Sequence, residues 1–237
     1  ANARIAAGIA DTGMEAAVAA LAAGGSEREV CIASMAAMNR FWAETFPATE
    51  VCDFGSLEGG VQNGLWTWAL AGERMFLNCD NPTPRKPAPG EAVGLFIWTV
   101  ADGIHGENER TVVIGEPPAE TRRAIESILE IRDEVRPLIR PGTPISDLFG
   151  AVREGLEARG YGRFLPGRIG HGIGLGAHEW PSIDARTELP LEPGMIFTYE
   201  PNLRMPGVAA TQFSDTVLVT PDGCEFLTRS RGGWMEV

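Results

Sequence analysis

The chain has 237 residues, 32 of them acidic and 20 basic, a formal net charge of −12 and 44% apolar residues. That apolar share is enough for a buried core and bounds the chain to one large domain or two small ones. The acidic surplus excludes the basic face that nucleic acid requires and argues against an anionic membrane surface, and no apolar run is read as reaching the roughly 18 residues of a membrane span.

Residues 2–23 are alanine-rich, with Ile5, Ile9, Met14, Val18 and Leu21 at helical spacing. Gly24-Gly25 ends that helix. Ser26, with Glu29 three residues on, forms a capping box that opens a second helix to about Trp42. From Thr45 to Gly115 short apolar runs alternate with Gly, Pro and Asn, and strands are predicted at Phe54–Leu57, Leu65–Ala69, Met75–Leu77, Val93–Val100 and Val112–Ile114. Four prolines make Asn81–Pro89 a loop. A helix follows over Ala119–Leu138, then a stop at Arg140-Pro141-Gly142-Thr143 and another helix from Ser146 to about Arg159. Strands are predicted again at Ile169–Leu175, Met195–Glu200, Thr216–Thr220 and Phe226–Thr228.

The order is helix–helix–strands, twice. The joint Leu21–Ser26 resembles the joint Leu138–Thr143 about half a chain later. A duplicated α+β unit around one shared sheet follows, and one compact domain is expected. The four cysteines, Cys31, Cys52, Cys79 and Cys224, form no CxxC pair. Scattered thiols of this kind suit a reducing compartment, so a cytoplasmic protein is expected. No signal-peptide pattern opens the chain.

Three segments hold all three histidines. The densest, Gly170–Pro181, carries His171 and His178 seven residues apart, among four glycines. On a strand that spacing puts the rings on opposite faces unless a turn intervenes, and glycine permits the turn. Imidazole serves as a metal ligand or as a general acid and base. A second segment, Glu192–Pro201, is a turn and an apolar strand with Glu200 at its end. A carboxylate there needs a partner or a role. The third, Ala101–Val112, reads alone as a charged hairpin bearing His105, Glu107, Glu109 and Arg110.

Together these segments resemble the pita-bread fold family of methionine aminopeptidases, prolidases, aminopeptidase P and creatinase. The strings are GHGIG…HExP, LxPGMxFTxEP and the tail from Phe213 to Gly223, and the resemblance covers nearly the whole chain. It implies a duplicated α+β domain with a curved antiparallel sheet backed by helices. It also implies a hydrolase of C–N bonds. In the creatinase and prolidase branches an added N-terminal domain is common, which leaves open that residues 1–237 are the catalytic part of a longer protein.

The family's peptidases hold two divalent metals with Asp, Asp, His, Glu and Glu. Residue by residue, the His falls on His171, the first Glu on Glu200 and the second Asp on Glu107. The first Asp falls on Phe96, eleven residues before Glu107, and the last Glu falls on Ser214 before Asp215-Thr216. Two cations in one pocket need several carboxylates, so no catalytic metal is expected. A single divalent ion, if held, would take Glu107, His171 and Glu200. The string Glu109-Arg110-Thr111 with Ser-Asp-Thr resembles a metal-poor, prolidase-like subset.

The resemblance therefore implies His178, His171, Glu200 and Glu107 as catalytic residues, with proton handling at His178. His105, Trp98, Trp180 and Glu109 are expected to contact substrate, although Trp66, Trp68, Trp98 and Trp180 would serve equally as core. Three functions stay open: a metal-independent, creatinase-like hydrolase of a small-molecule or dipeptide-like amide or amidine; a metal-dependent Xaa-Pro dipeptidase or aminopeptidase with altered ligands; and a non-catalytic binding domain of the same fold. The expected partner is a small molecule or short peptide, with neither nucleic acid nor membrane. A homodimer is expected, as in many relatives.

Overall fold

Alanine on most positions of the first helix lets it lie close to whatever it covers. In the computed structural model, which describes residues 1–52, 63–77, 80–230 and 235–236, helix α1 (Asn2–Ala22) buries Ala3, Ala6, Ala7, Ile9, Ala10, Gly13, Met14, Ala17 and Leu21. Helix α2 (Glu27–Thr45) starts at the Ser26–Glu29 capping box, with both reciprocal bonds made. Gly24 joins the two helices at φ +78°, which favours glycine.

Strands β1 (Trp66–Ala71), β2 (Ala92–Ala101) and β3 (Ile104–Val113) follow. β2 and β3 form a hairpin about Asp102-Gly103, both at positive φ. Helices α3 (Ala119–Val135) and α4 (Ile145–Ala158) open the second half. Then come β4 (His171–Gly172), β5 (Glu179–Ser182), β6 (Ile196–Tyr199), β7 (Arg204–Met205), β8 (Ala209–Ala210), β9 (Ser214–Thr220), β10 (Gly223–Phe226) and β11 (Met235–Glu236). The main sheet runs β1-β2-β3-β9-β6-β4-β5 through antiparallel pairs, with β10 beside β9 and a short parallel β11 beside β3. This is the curled α+β pita-bread fold that the family resemblance implied, built on the duplicated unit that the sequence pattern predicted.

Each half has its own core. Ile9, Met14, Val30 and Met38 pack with Leu95 and Ile97 of β2. Ile125, Ile128, Leu148 and Val152 pack with Phe197 of β6 and Val217 of β9. The halves meet where β3 pairs with β9, at Asn108 with Asp215 and Glu109 with Ser214. The central pairing therefore falls on the segments that carry the chemistry.

Several expectations are corrected. Residues 72–77 form a 3₁₀ helix, not a strand. The third helix ends at Val135 and tightens into a 3₁₀ turn over Arg136–Leu138, because Pro137 lacks the N–H that would continue it. The strand expected over Ile169–Leu175 shrinks to two residues, since the glycines after it bend into a turn. The last hairpin strand is Gly223–Phe226, earlier than expected. Phe54–Leu57 and Cys79 lie outside the described residues. Finally, α1 is long and apolar enough, by length and composition, to cross a membrane. Its alanines make that possible, and in this fold its buried face packs on α2, β2 and β3. Asp11 on the same helix accepts backbone N–H bonds from Arg229 and Ser230.

Candidate active site

Strand alternation places His105, Glu107 and Glu109 on one face of β3. Trp98 of β2 stands opposite Glu107, and Phe96 opposite Glu109. Ser214 of β9 faces Glu109 from the other side. His171 comes from β4, and Glu200 follows β6 directly. The glycine turn after β4 folds back, so the His171 and His178 ring centroids lie 4.3 Å apart. Trp98 packs against both, at 6.4 Å and nearly parallel to His171 and at 4.9 Å from His178.

His171 Nε2 lies 3.1 Å from Glu200 Oε1 and 3.7 Å from Glu107 Oε2. The Thr198 hydroxyl also donates to Glu200 Oε1. On its other side the ring's Nδ1 is 3.0 Å from the carbonyl of Gly172. A carbonyl only accepts, so Nδ1 carries a proton. A bond from Nε2 to Glu200 then needs a second proton, shared between ring and carboxylate. The gap accommodates one proton or, in its place, one cation.

Glu107 is 1% exposed, and its carboxyl faces the Ser214 hydroxyl, with no well-formed hydrogen bond to either oxygen among the described residues. The Ser214 hydroxyl makes no better-formed bond, and the Trp98 indole N–H is buried with no hydrogen-bond partner among the described residues. These four atoms belong to residues on the same face of neighbouring strands, which marks this face as built to receive something. Glu109 is bonded by Gln212 Nε2 at 2.6 Å.

The electrostatics follow from three buried carboxyls close together. Burial first, then the charges of Glu109 and Glu200, push Glu107 well above the usual carboxylate range. Burial and Glu200 push Glu109 up to about 8. Burial opposes ionisation of Glu200 too, but the His171 bond and charge, with Thr198, hold it below its ordinary value. His178 is lowered by burial, then by His171 and Arg168, which favours the neutral imidazole.

Glu107, His171 and Glu200 offer ligand atoms all within 4.8 Å of one another. That set fits one divalent ion. A second ion is not served by the residues beside them: Phe96, 2% exposed, offers an apolar ring and Ser214 a neutral hydroxyl, at the two places where the family resemblance puts carboxylates.

The structure thus brings together His171, His178, Glu107, Glu109, Glu200 and Trp98. His105 bonds Gly174 with both its backbone N–H and its Nδ1, at 2.8 and 3.0 Å, and so braces the glycine turn. Trp180 is 73% exposed and lines a mostly apolar cleft of about 310 Å³ with Ile173, Met195 and Phe197. Residues that the sequence reading missed are Thr198, Gln212 and Arg168. Thr198 lay inside a quoted motif, whereas nothing local distinguishes Gln212 or Arg168. A separate cavity of about 480 Å³ lies behind the sheet, lined by Arg110, Arg132, Arg136 and Asp215.

Comparison with known proteins gives the family. The Metallopeptidase family M24 matches residues 1–221. An uncharacterized peptidase of Staphylococcus aureus strain USA300 is 32% identical over 162 residues, 68% of this chain and 46% of that protein. The chain spans about half the length of the curated relatives it matches, 46%. Among solved structures, the prolidase from Pyrococcus furiosus is 27% identical with a TM-score of 0.81, over 97% of this chain and 63% of that one. The Xaa-Pro dipeptidase from Bacillus anthracis is 25% identical with a TM-score of 0.84, over 99% of this chain and 61% of that one. The methionine aminopeptidase from Thermotoga maritima, at 19% identity and a TM-score of 0.75, shares the fold over 96% of both chains. The match over nearly the whole length places the chain in metallopeptidase family M24.

Proposed function

We propose that the chain hydrolyses a small-molecule or dipeptide-like C–N bond without a catalytic metal, as the creatinase branch of its family does. What supports this is that Phe96 and Ser214 stand where the family resemblance puts two metal carboxylates, beside the His171–Glu200 pair. In this reading His178, neutral and part-exposed, takes a proton from the attacking water. The water oxygen bonds to the amide or amidine carbon, the C–N bond breaks, and His178 returns the proton to the leaving nitrogen. Glu107 and Glu109, kept protonated by burial, donate hydrogen bonds to the reacting group. Trp98 and Trp180 shape the approach.

Chelator dialysis followed by elemental analysis and an amide and dipeptide screen tests the proposal. Activity retained with near-zero metal supports it, and activity lost and then restored by manganese or cobalt removes it. His178→Ala is expected to lower kcat by about 10²–10⁴ with the fold intact, as removal of a general base does.

One observation favours a second reading. Because Glu107, His171 and Glu200 converge, a single divalent ion held there would supply Lewis-acid chemistry to an Xaa-Pro peptidase. The same dialysis separates the two. Homodimeric assembly and a cytoplasmic location belong to the proposal as well; sedimentation at twice the 25.4 kDa chain mass would support the first.

A further inference from the structure

Behind the sheet, on the face away from His171, Asp215 sits between two arginines. Arg110 Nη2 donates to Asp215 Oδ1 and Arg132 Nη2 to Asp215 Oδ2, each at 2.6 Å. Thr228 Oγ1 donates to Oδ1 at 2.7 Å. The three charged side chains are at most 9% exposed. Each arginine spends its other terminal nitrogen on main-chain carbonyls. Arg110 Nη1 reaches Glu109 and Ser214, at 2.7 and 2.8 Å. Arg132 Nη1 reaches Tyr199 and Phe213, at 2.8 and 3.1 Å.

Those four carbonyls are not scattered. Glu109 and Ser214 face each other in the site, Tyr199 immediately precedes Glu200, and Phe213 immediately precedes Ser214. The network thus grips β3, the end of β6 and the start of β9 at the residues whose side chains, or whose neighbours' side chains, form the acidic cluster. Arg132 comes from α3, so it also ties that helix to the cluster. A buried ion network is weak as a stabiliser, because desolvation offsets attraction. Its value here lies in geometry: a rigid guanidinium fork aims one nitrogen at a carboxylate and the other at two carbonyls, whereas the three donors of an ammonium radiate from a single nitrogen.

We propose that Arg110, Asp215 and Arg132 are positioning residues that set the spacing between the Glu109 and Glu200 carboxyl groups and so hold Glu200 against His171. This rests on the reading that the His171–Glu200 pair is part of the working site, but it does not depend on the reaction catalysed.

With three histidines in the chain, ¹⁵N-histidine NMR of the intact protein reads the clamp directly. In Arg132→Lys the ring signals of His171 are expected to move, with those of His105 unmoved, because the Nε2–Glu200 contact relaxes while the Gly174 contact does not. Thr228→Val, which removes a single bond to Asp215, should move the same signals in the same direction by less and serves where Arg132→Lys does not fold. Ile128→Val, a core change on the same helix, should leave them in place. Unmoved His171 signals in the folded clamp variants, or equal movement in Ile128→Val, would overturn the proposal. Because the readout needs no turnover, a failed activity screen and a failed clamp are distinguishable.

Discussion

At the scale of single residues, the site is defined by carboxyls that the fold does not let ionise freely. Glu109 takes its proton up near pH 8 when folded, against 4.5 as the ordinary value. Between those limits the folded state binds more protons than the unfolded one. Stability is therefore fully present below about pH 4.5 and falls as pH rises to about 8. Glu107 acts in the same direction. Glu109→Gln keeps an acceptor for Gln212 and removes the ionisation. Chemical denaturation is expected to show it more stable by about 1–3 kcal/mol at pH 8, with a flatter decline above pH 4.5, an effect that burial of an unneutralised charge commonly reaches. An unchanged slope would mean that the carboxyl is neutralised by another route. Gly170 makes a separate point. It sits at φ +146°, and a Cβ there would meet the Thr198 carbonyl at 1.9 Å. Gly170→Ala should therefore displace His171 and Thr198 together, with a loss of several °C in Tm and of the His171 ring signature. The glycine run was visible in the sequence; which glycine has no room for a methyl was not.

At the scale of elements, the first-half helices are anchored by a side chain that no motif singled out. Glu27, fully buried, accepts bonds from the Ala71 and Thr83 backbone N–H groups, the Thr83 hydroxyl and Arg74 Nε. It ties the start of α2 to the end of β1 and to the proline loop. Removing one partner of a buried charge network costs about 3–5 kcal/mol, and Glu27→Ala is expected to lie in that range by urea denaturation. Ser26→Ala, which removes only the cap, should cost about 1 kcal/mol. The capping box was legible from residue spacing alone, since it involves neighbours three apart. Glu27's role was not, since its partners lie up to 56 residues away. The same distinction explains the strand at Ile169–Leu175. Apolar content suggested a strand, and the turn that brings His178 over His171 is a property of the glycine conformations.

At the scale of the whole molecule, two cores share one sheet, and the acidic surplus stays mainly on the outside. A net charge of −12 repels itself, and salt screens that repulsion. Raising sodium chloride from about 10 mM to about 200 mM should raise Tm by a few °C, and a fall would show that exposed ion pairs such as Arg122–Glu116 outweigh the repulsion. The sequence by itself determined the duplicated helix–helix–strand order and the cap and joint positions, because each is a matter of local spacing and residue type. Only the tertiary structure decided that Glu107 is buried facing Ser214 and His171, that Gln212 holds Glu109, and that Arg110, Asp215 and Arg132 lock the strands behind them. Those facts depend on which residues of β3, β6, β9 and α3 meet across up to 105 positions of chain, and burial and hydrogen bonding act on that meeting, not on the order of residues along any one strand.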